Sequence, residues 1–322
     1  MGQQILDQAL EQEAKNLGLG ESLDLDLDAS LSTGLDSNLD ANLTVLDDSN
    51  SSSLQTASEA SSAKLAFIDD GREYINLDKS NIVYSKIIRL LNDPLKLILF
   101  YGRPGSGKTF LLHKIRDDLL KAKKKLIFFP QPFFEESIFL STLYKQIFFG
   151  EERGIPTYDH FLQAYKERSN KSESELKDEA IIVLLDEAQM YPPELVEKIR
   201  LMADTRFFKF LFTVHKTVDK EDVLAKEYFQ GRIWESVELM ESSVNEVEVY
   251  IRIKSKRVDL FSKNEYKLIH ELTKGNMRNV NKLMYKVFEL LDYYETKRPG
   301  KVTEKNFSKK LIEMAALDKG ML

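Results

Sequence analysis

The sequence predicts an α/β protein: a parallel sheet with helices on both faces, followed by a smaller all-helical domain. Three observations predict it. From about residue 74, short apolar runs alternate with amphipathic helical stretches, a glycine-rich loop joins the first run to its helix, and beyond residue 244 strand-like runs give way to helical periodicity. Strands that alternate with helices pair in parallel, because each crossover returns the chain to the same end of the sheet, and both sheet faces are then covered.

Leu97–Tyr101 (LILFY) reads as the first buried strand and Phe110–Lys121 as the helix behind it. Leu126–Phe129 (LIFF) and a helix over Ser137–Phe149 follow. Ile181–Leu185 (IIVLL) is a third strand with a helix over Pro193–Ala203, and Phe208–Val214 (FKFLFTV) a fourth with a helix across Lys220–Phe229. Tyr191-Pro192-Pro193 marks the start of a helix, where proline suits the first turn. Helical patterns at 244–254, 262–274, 278–294 and 303–316 form the second domain.

The chain of 322 residues is long enough for about two domains at the usual ~150 residues each, and 43% hydrophobic residues supply their cores. The absence of cysteine excludes a disulfide scaffold, a thiolate zinc site and thiol catalysis, and four scattered histidines argue against a histidine metal site. No apolar run reaches the ~20 residues of a membrane span, so no transmembrane segment is expected. The first residues also lack the basic-then-apolar order of a secretion signal. A cytoplasmic setting is the expectation.

The net charge of −6 is uneven. Residues 1–63 hold twelve acids and one lysine, leaving 45 basic against 40 acidic residues in the remainder. Residues 20–66 form an acidic linker rich in Leu, Asp and Ser, expected to be disordered because it cannot bury enough apolar surface to offset the entropy of ordering. Before it, within residues 1–19, Ile5, Leu6, Ala9, Leu10, Ala14 and Leu17 share one helical face. That helix is either a frayed terminus or an amphipathic docking helix for a partner's groove.

The chemistry begins at Gly102-Arg103-Pro104-Gly105-Ser106-Gly107-Lys108-Thr109, which fits G-x-x-x-x-G-K-[ST] and lies between a predicted strand and a predicted helix. Gly102, Pro104, Gly105, Ser106 and Gly107 form a nucleotide-binding loop whose backbone N–H groups curl around a phosphate, and the helix start at Lys108, Thr109 and Phe110 adds its dipole. Lys108 is placed to reach the β- and γ-phosphates, and Thr109 to offer its hydroxyl to Mg²⁺. The strand Ile181–Leu185 then delivers Asp186 and Glu187 to its C-terminal end, where ligands sit in open α/β sheets. Asp186 is expected to hold the metal, mostly through water, and Glu187 to polarise the attacking water.

With these motifs the sequence resembles the AAA+ ATPases, and within them the ExeA/GspA-like secretion and pilus-assembly group, over roughly residues 80–295. The resemblance rests on the glycine-rich loop, on Asp186-Glu187-Ala188-Gln189, and on Leu195-Val196-Glu197-Lys198-Ile199-Arg200-Leu201-Met202. It implies a P-loop NTPase domain with a five-stranded parallel sheet over 74–240 and a helical lid over 241–322. ATP and Mg²⁺ are the implied cofactors. His215 stands where the group has a sensor glutamine, so it is a sensor or a core or surface histidine, with Thr213 as the alternative sensor. Phe229-Gln230-Gly231-Arg232-Ile233 resembles the group's Q-R-I stretch. Arg232 is then an arginine finger offered to a neighbouring subunit of a homo-oligomer, or an arginine paired at a helix end. Gly275-Asn276-Met277-Arg278-Asn279-Val280-Asn281-Lys282-Leu283 resembles the lid's G-x-x-R-x-I-N-x-L, making Arg278 the sensor-2 arginine. Trp234 reads as a packing residue.

The resemblance implies an ATPase serving a membrane-associated envelope machine, such as type II secretion, type IV pili or DNA uptake, reached through partners at the inner membrane. The group often carries a membrane span and a peptidoglycan-binding region after the ATPase, and this chain stops at Leu322. A DNA-associated ATPase, such as a transposition target selector or a replication-initiator relative, is the alternative. Lys121, Lys123, Lys124 and Lys125, with Lys254, Lys256 and Arg257, would then meet phosphates, against the repulsion of the acidic N-terminal segment. A third reading is a nucleotide-gated scaffold that turns over slowly.

Overall fold

A computed structural model of the chain describes residues 60–68, 74–150, 154–216, 235–257, 260–303 and 306–322. The first described segment is a short helix, α1, over residues 60–66. Ala60, Ala63 and Phe67 are buried, and the Phe67 ring stacks on Phe288 with centroids 5.6 Å apart. The linker expected to be disordered over 20–66 is therefore corrected at its C-terminal end. Alanines at 60, 63 and 66 and the aromatic after them give this stretch a packing face that the serine- and aspartate-rich residues before it lack. The docking helix at 1–19 and the rest of the linker lie outside the described residues.

Helix α2 (Asp78–Asn92), not read from the sequence, leads into strand β1 (Leu97–Gly102). Then come α3 (Lys108–Lys121), β2 (Leu126–Phe129), α4 (Glu136–Ile147), α5 (Tyr158–Ser169), α6 (Glu173–Asp178) and β3 (Ile181–Leu185). Helix α7 (Pro193–Asp204), β4 (Phe208–His215) and β5 (Glu235–Leu239) complete the sheet. Its order is β2-β3-β4-β1-β5, with every neighbouring pair parallel. The five-stranded parallel sheet flanked by helices is the P-loop AAA fold. The predicted helix across Lys220–Phe229 lies outside the described residues.

Both sheet faces are covered, which is why these strands read as unbroken apolar runs rather than alternating ones. Ile98, Phe100, Ile182, Leu184 and Leu211 pack with α2 and α3 on one face. Leu97, Val183, Leu185, Phe208, Phe210 and Phe212 pack with α4, α5 and α7 on the other. Each such side chain, fully removed from water, contributes about 1.5–3 kcal/mol.

The last strand ends at Leu239, and a helical domain of α8 (Val244–Ser255), α9 (Lys263–Thr273), α10 (Met277–Lys297) and α11 (Phe307–Asp318) follows. Capping boxes begin two of its helices: Ser243 with Glu246, and Ser262 with Glu265. Along α10, Val280, Leu283, Met284, Val287, Phe288 and Leu291 repeat at helical spacing and form the centre of this domain's core. No helix among the described residues is long and apolar enough to cross a membrane.

Candidate functional site

The C-terminal ends of β1, β3 and β4 converge on one region, and each delivers a predicted site residue there. Between β1 and α3 the loop turns through Gly105 and Gly107, whose φ values of +83° and +97° fall in the left-handed region that favours glycine. Gly105 is doubly constrained. A Cβ there would stand 2.5 Å from Asn276 Oδ1 and 2.8 Å from the Arg278 Cβ, so the loop and the start of α10 meet with no room for a side chain. Gly102 lies behind the loop. A Cβ on it would come within 2.5 Å of the Leu239 carbonyl oxygen, so its task is close packing of β1 on β5.

Lys108 opens α3 and is buried, donating to the carbonyl oxygens of Gly102 at 2.9 Å and Arg103 at 3.2 Å. Burial pushes its ammonium down to about 8. The carboxylates of Glu187 and Asp186 oppose that shift and the Arg278 guanidinium adds to it. An anion entering beside Lys108 restores the lost solvation and raises this value, so the complex holds more protons than the free protein around pH 8. Affinity for a polyphosphate is therefore expected to fall as pH rises through about 8. Proton uptake on binding should appear as a calorimetric heat that changes with buffer ionisation enthalpy. Affinity unchanged through the alkaline range would contradict it.

Asp186, just past β3, is 3% exposed and accepts from the Thr109 hydroxyl at 3.0 Å and from the Glu187 N–H at 3.0 Å. The Thr213 hydroxyl on β4 also donates to it. A threonine hydroxyl and a carboxylate gathered this closely are hard oxygen donors of the kind Mg²⁺ takes, so Thr109 and Asp186 fit the metal. Ser106 Oγ is buried in the same loop with no hydrogen-bond partner among the described residues, as a group awaiting a ligand would be. Glu187 has φ +52°, an uncommon conformation for a non-glycine residue that turns its side chain off the strand direction.

His215 ends β4, with its Nε2 3.2 Å from Glu187 Oε1. Burial lowers its pKa, with the charge of Lys108 acting in the same direction, so the ring is held neutral. The structure thus brings His215, Thr213, Asp186 and Glu187 together. Arg232 lies outside the described residues.

A cavity of about 340 Å³ opens over these groups. Gly105, Ser106, Gly107, Lys108, Thr109, Phe110, Glu187, His215 and Arg278 line it, all of them expected from the sequence. Gly102 and Pro104 are not in its lining. The Pro104 carbonyl instead accepts from Asn276 Nδ2 at 2.7 Å, while the Arg278 N–H donates to the Gly105 carbonyl at 3.3 Å. The helical domain is thereby fastened to the phosphate loop itself.

The remaining walls were not assigned to this site from the sequence, although Met277 and Asn281 fall within the lid motif and Lys254 was expected instead to meet DNA phosphates. Tyr74, Ile75, Leu77 and Ser80 come from the segment before β1, and Tyr250, Lys254, Met277 and Asn281 from α8 and α10. Tyr250 donates to Asn281 Oδ1 at 2.6 Å, and Lys254 Nζ donates to the Tyr250 hydroxyl at 3.0 Å. Asn281 lies three residues after Arg278, and Tyr250 and Lys254 four apart, so helical spacing is the signal that could have found them.

Residues 93–220 match the family described as AAA domain. No curated protein matches the sequence. Among solved structures, Cdc6p from Pyrobaculum aerophilum is similar at 15% identity and a TM-score of 0.55, over 71% of this chain and 66% of that one. This chain therefore spans just under two thirds of that protein. The Aeropyrum pernix ORC2 protein, solved in ADPNP–ADP complexes, is similar at 16% identity and a TM-score of 0.52, over 78% of this chain and 71% of that one. The Aeropyrum pernix ORC1 protein in complex with DNA gives 12% identity and a TM-score of 0.52, over 78% of this chain and 69% of that one. At such identities the likeness is one of fold.

Proposed function

We propose that this chain binds ATP with Mg²⁺ and hydrolyses it as a conformational switch. One observation carries the reading: Lys108 and Thr109 at the start of α3 and Glu187 after β3 line a single cavity that the helical domain roofs, and buried Asp186 accepts a hydrogen bond from Thr109 beside them. In it, Lys108 neutralises phosphate oxygens and the loop amides bind them. Glu187 orients the attacking water and accepts its proton, and Arg278 brings a positive charge from the roof. A bound Mg²⁺, held by Thr109 and Asp186, supplies further charge neutralisation on the phosphates. Because Asn276 and Arg278 grip the loop directly, occupancy of the loop is expected to move the helical domain. Arg232 is proposed to act on a neighbouring subunit's nucleotide, so activity per subunit should rise as subunits associate.

For the partner we propose a component of an envelope machine for secretion, pilus assembly or DNA uptake, on the strength of the Asp186-Glu187-Ala188-Gln189 resemblance. A DNA-associated role is the second reading. It is supported by the fold shared with a protein solved on DNA and by the exposed lysines at 121, 123 and 124, at and just past the end of α3 remote from the phosphate loop. Phosphate release from Mg-ATP by the purified chain tests hydrolysis. Titration of labelled duplex at two salt concentrations separates the partners, since phosphate contacts weaken steeply with salt. Tight, salt-sensitive binding favours DNA, and its absence favours the envelope machine.

A further inference from the structure

Gln189 follows the acid pair in a short 3-10 turn (Ala188–Met190) and is half-buried beside the cavity. Its side chain reaches two groups that are far apart in sequence. Nε2 donates to Glu187 Oε2 and lies 3.4 Å from His215 Nδ1, while Oε1 accepts from the His215 backbone N–H at 3.3 Å. His215 Nε2 closes the ring of contacts at 3.2 Å from Glu187 Oε1.

Donor and acceptor rules fix the protons in this ring. An amide nitrogen only donates, so His215 Nδ1 must accept; a carboxylate only accepts, so His215 Nε2 must carry the hydrogen. Reversing the amide would set its oxygen against a carboxylate and its nitrogen against a backbone N–H, so the network admits one orientation. The imidazole is therefore a neutral Nε2–H tautomer, and both Glu187 oxygens receive a hydrogen bond. Without these contacts a glutamate that is one-third exposed would sample several rotamers.

We propose that Gln189 is a positioning residue that holds Glu187 and the His215 ring in register with the phosphate loop. Its effect on rate rests on the hydrolysis reading above; its effect on His215 does not. Gln189 touches no phosphate-binding group, so it acts through its two neighbours. Glu187 keeps acceptor capacity for a water, since each carboxylate oxygen has a second lone pair.

The experiment compares the wild-type chain with Gln189→Ala and with Gln189→Glu, which keeps the size but removes the N–H donors. Steady-state phosphate release and imidazole ¹⁵N spectra are recorded on each. Wild-type His215 should show only the Nε2–H tautomer, and Gln189→Ala should show a mixture. Gln189→Ala should lower kcat by about tenfold or more, as loss of an orienting partner does, with KM for ATP within about twofold. Gln189→Glu should not restore the rate. Three results would overturn the proposal: Gln189→Ala turning over at or above the wild-type rate, a wild-type His215 in the Nδ1–H form, or a tautomer unmoved by either substitution. If the wild type releases no phosphate, hydrolysis fails on its own, while the spectra still decide whether Gln189 sets the ring.

Discussion

Lys108→Ala is expected to abolish nucleotide binding and leave the fold intact. The ammonium is buried at the start of α3, where it donates to the Gly102 and Arg103 carbonyls. Charge-assisted hydrogen bonds are worth about 1.5–3 kcal/mol each, so losing those that Lys108 would make to two phosphates weakens binding by roughly 10²–10⁴-fold. The free fold should not suffer. A lysine whose native value is pushed down to about 8 pays for its burial as an ion at neutral pH, and alanine removes that cost. The variant should melt at or above the wild-type temperature while showing no saturable nucleotide binding. A lower melting temperature with binding retained would reverse both halves of the argument.

Glu187→Gln should give the opposite separation: binding kept, hydrolysis lost. Glutamine is the same size and still reaches the cavity, but it cannot accept the proton of an attacking water. General-base catalysis contributes about 10²–10⁴-fold, and phosphate release should fall by that order. The groups assigned to the phosphates, Lys108 and Ser106, and to the metal, Thr109 and Asp186, are untouched, so the ATP dissociation constant should stay within about threefold of wild type. A variant that hydrolyses at the wild-type rate would remove Glu187 from the reaction. Together the two substitutions distinguish a group that holds the phosphates from one that acts on them.

Much of this site could be read from sequence because its contacts are local. The loop from Gly102 to Thr109, the acids after IIVLL, and Arg278 at the head of an amphipathic helix each carry their meaning within a few residues. Four of the five strands announce themselves as apolar runs for the same reason. β5 does not. ESVEL sits at the edge of the described sheet, pairs with β1 alone among the described strands, and buries only Val237 and Leu239 of its own residues, so its hydrophobic signal is thin. Helix α1 was submerged in the composition of the linker before it, although its alanine spacing and Phe67 supply a packing face. The long-range juxtapositions were beyond reach. Asn276 meets Pro104 across 172 residues, and Gln189 meets His215 across 26, with nothing in either local sequence to name its partner. His215 shows the boundary most clearly: sequence placed it at the end of a strand, and only the fold put its ring against Glu187.

Calorimetric titration of the full chain with ATP in the presence of Mg²⁺ tests most directly whether these groups form a nucleotide site. Saturation at one nucleotide per chain in the wild type, retained in Glu187→Gln and lost in Lys108→Ala, is the predicted result. No heat from the wild type, or the same heat from wild type and Lys108→Ala, would contradict it.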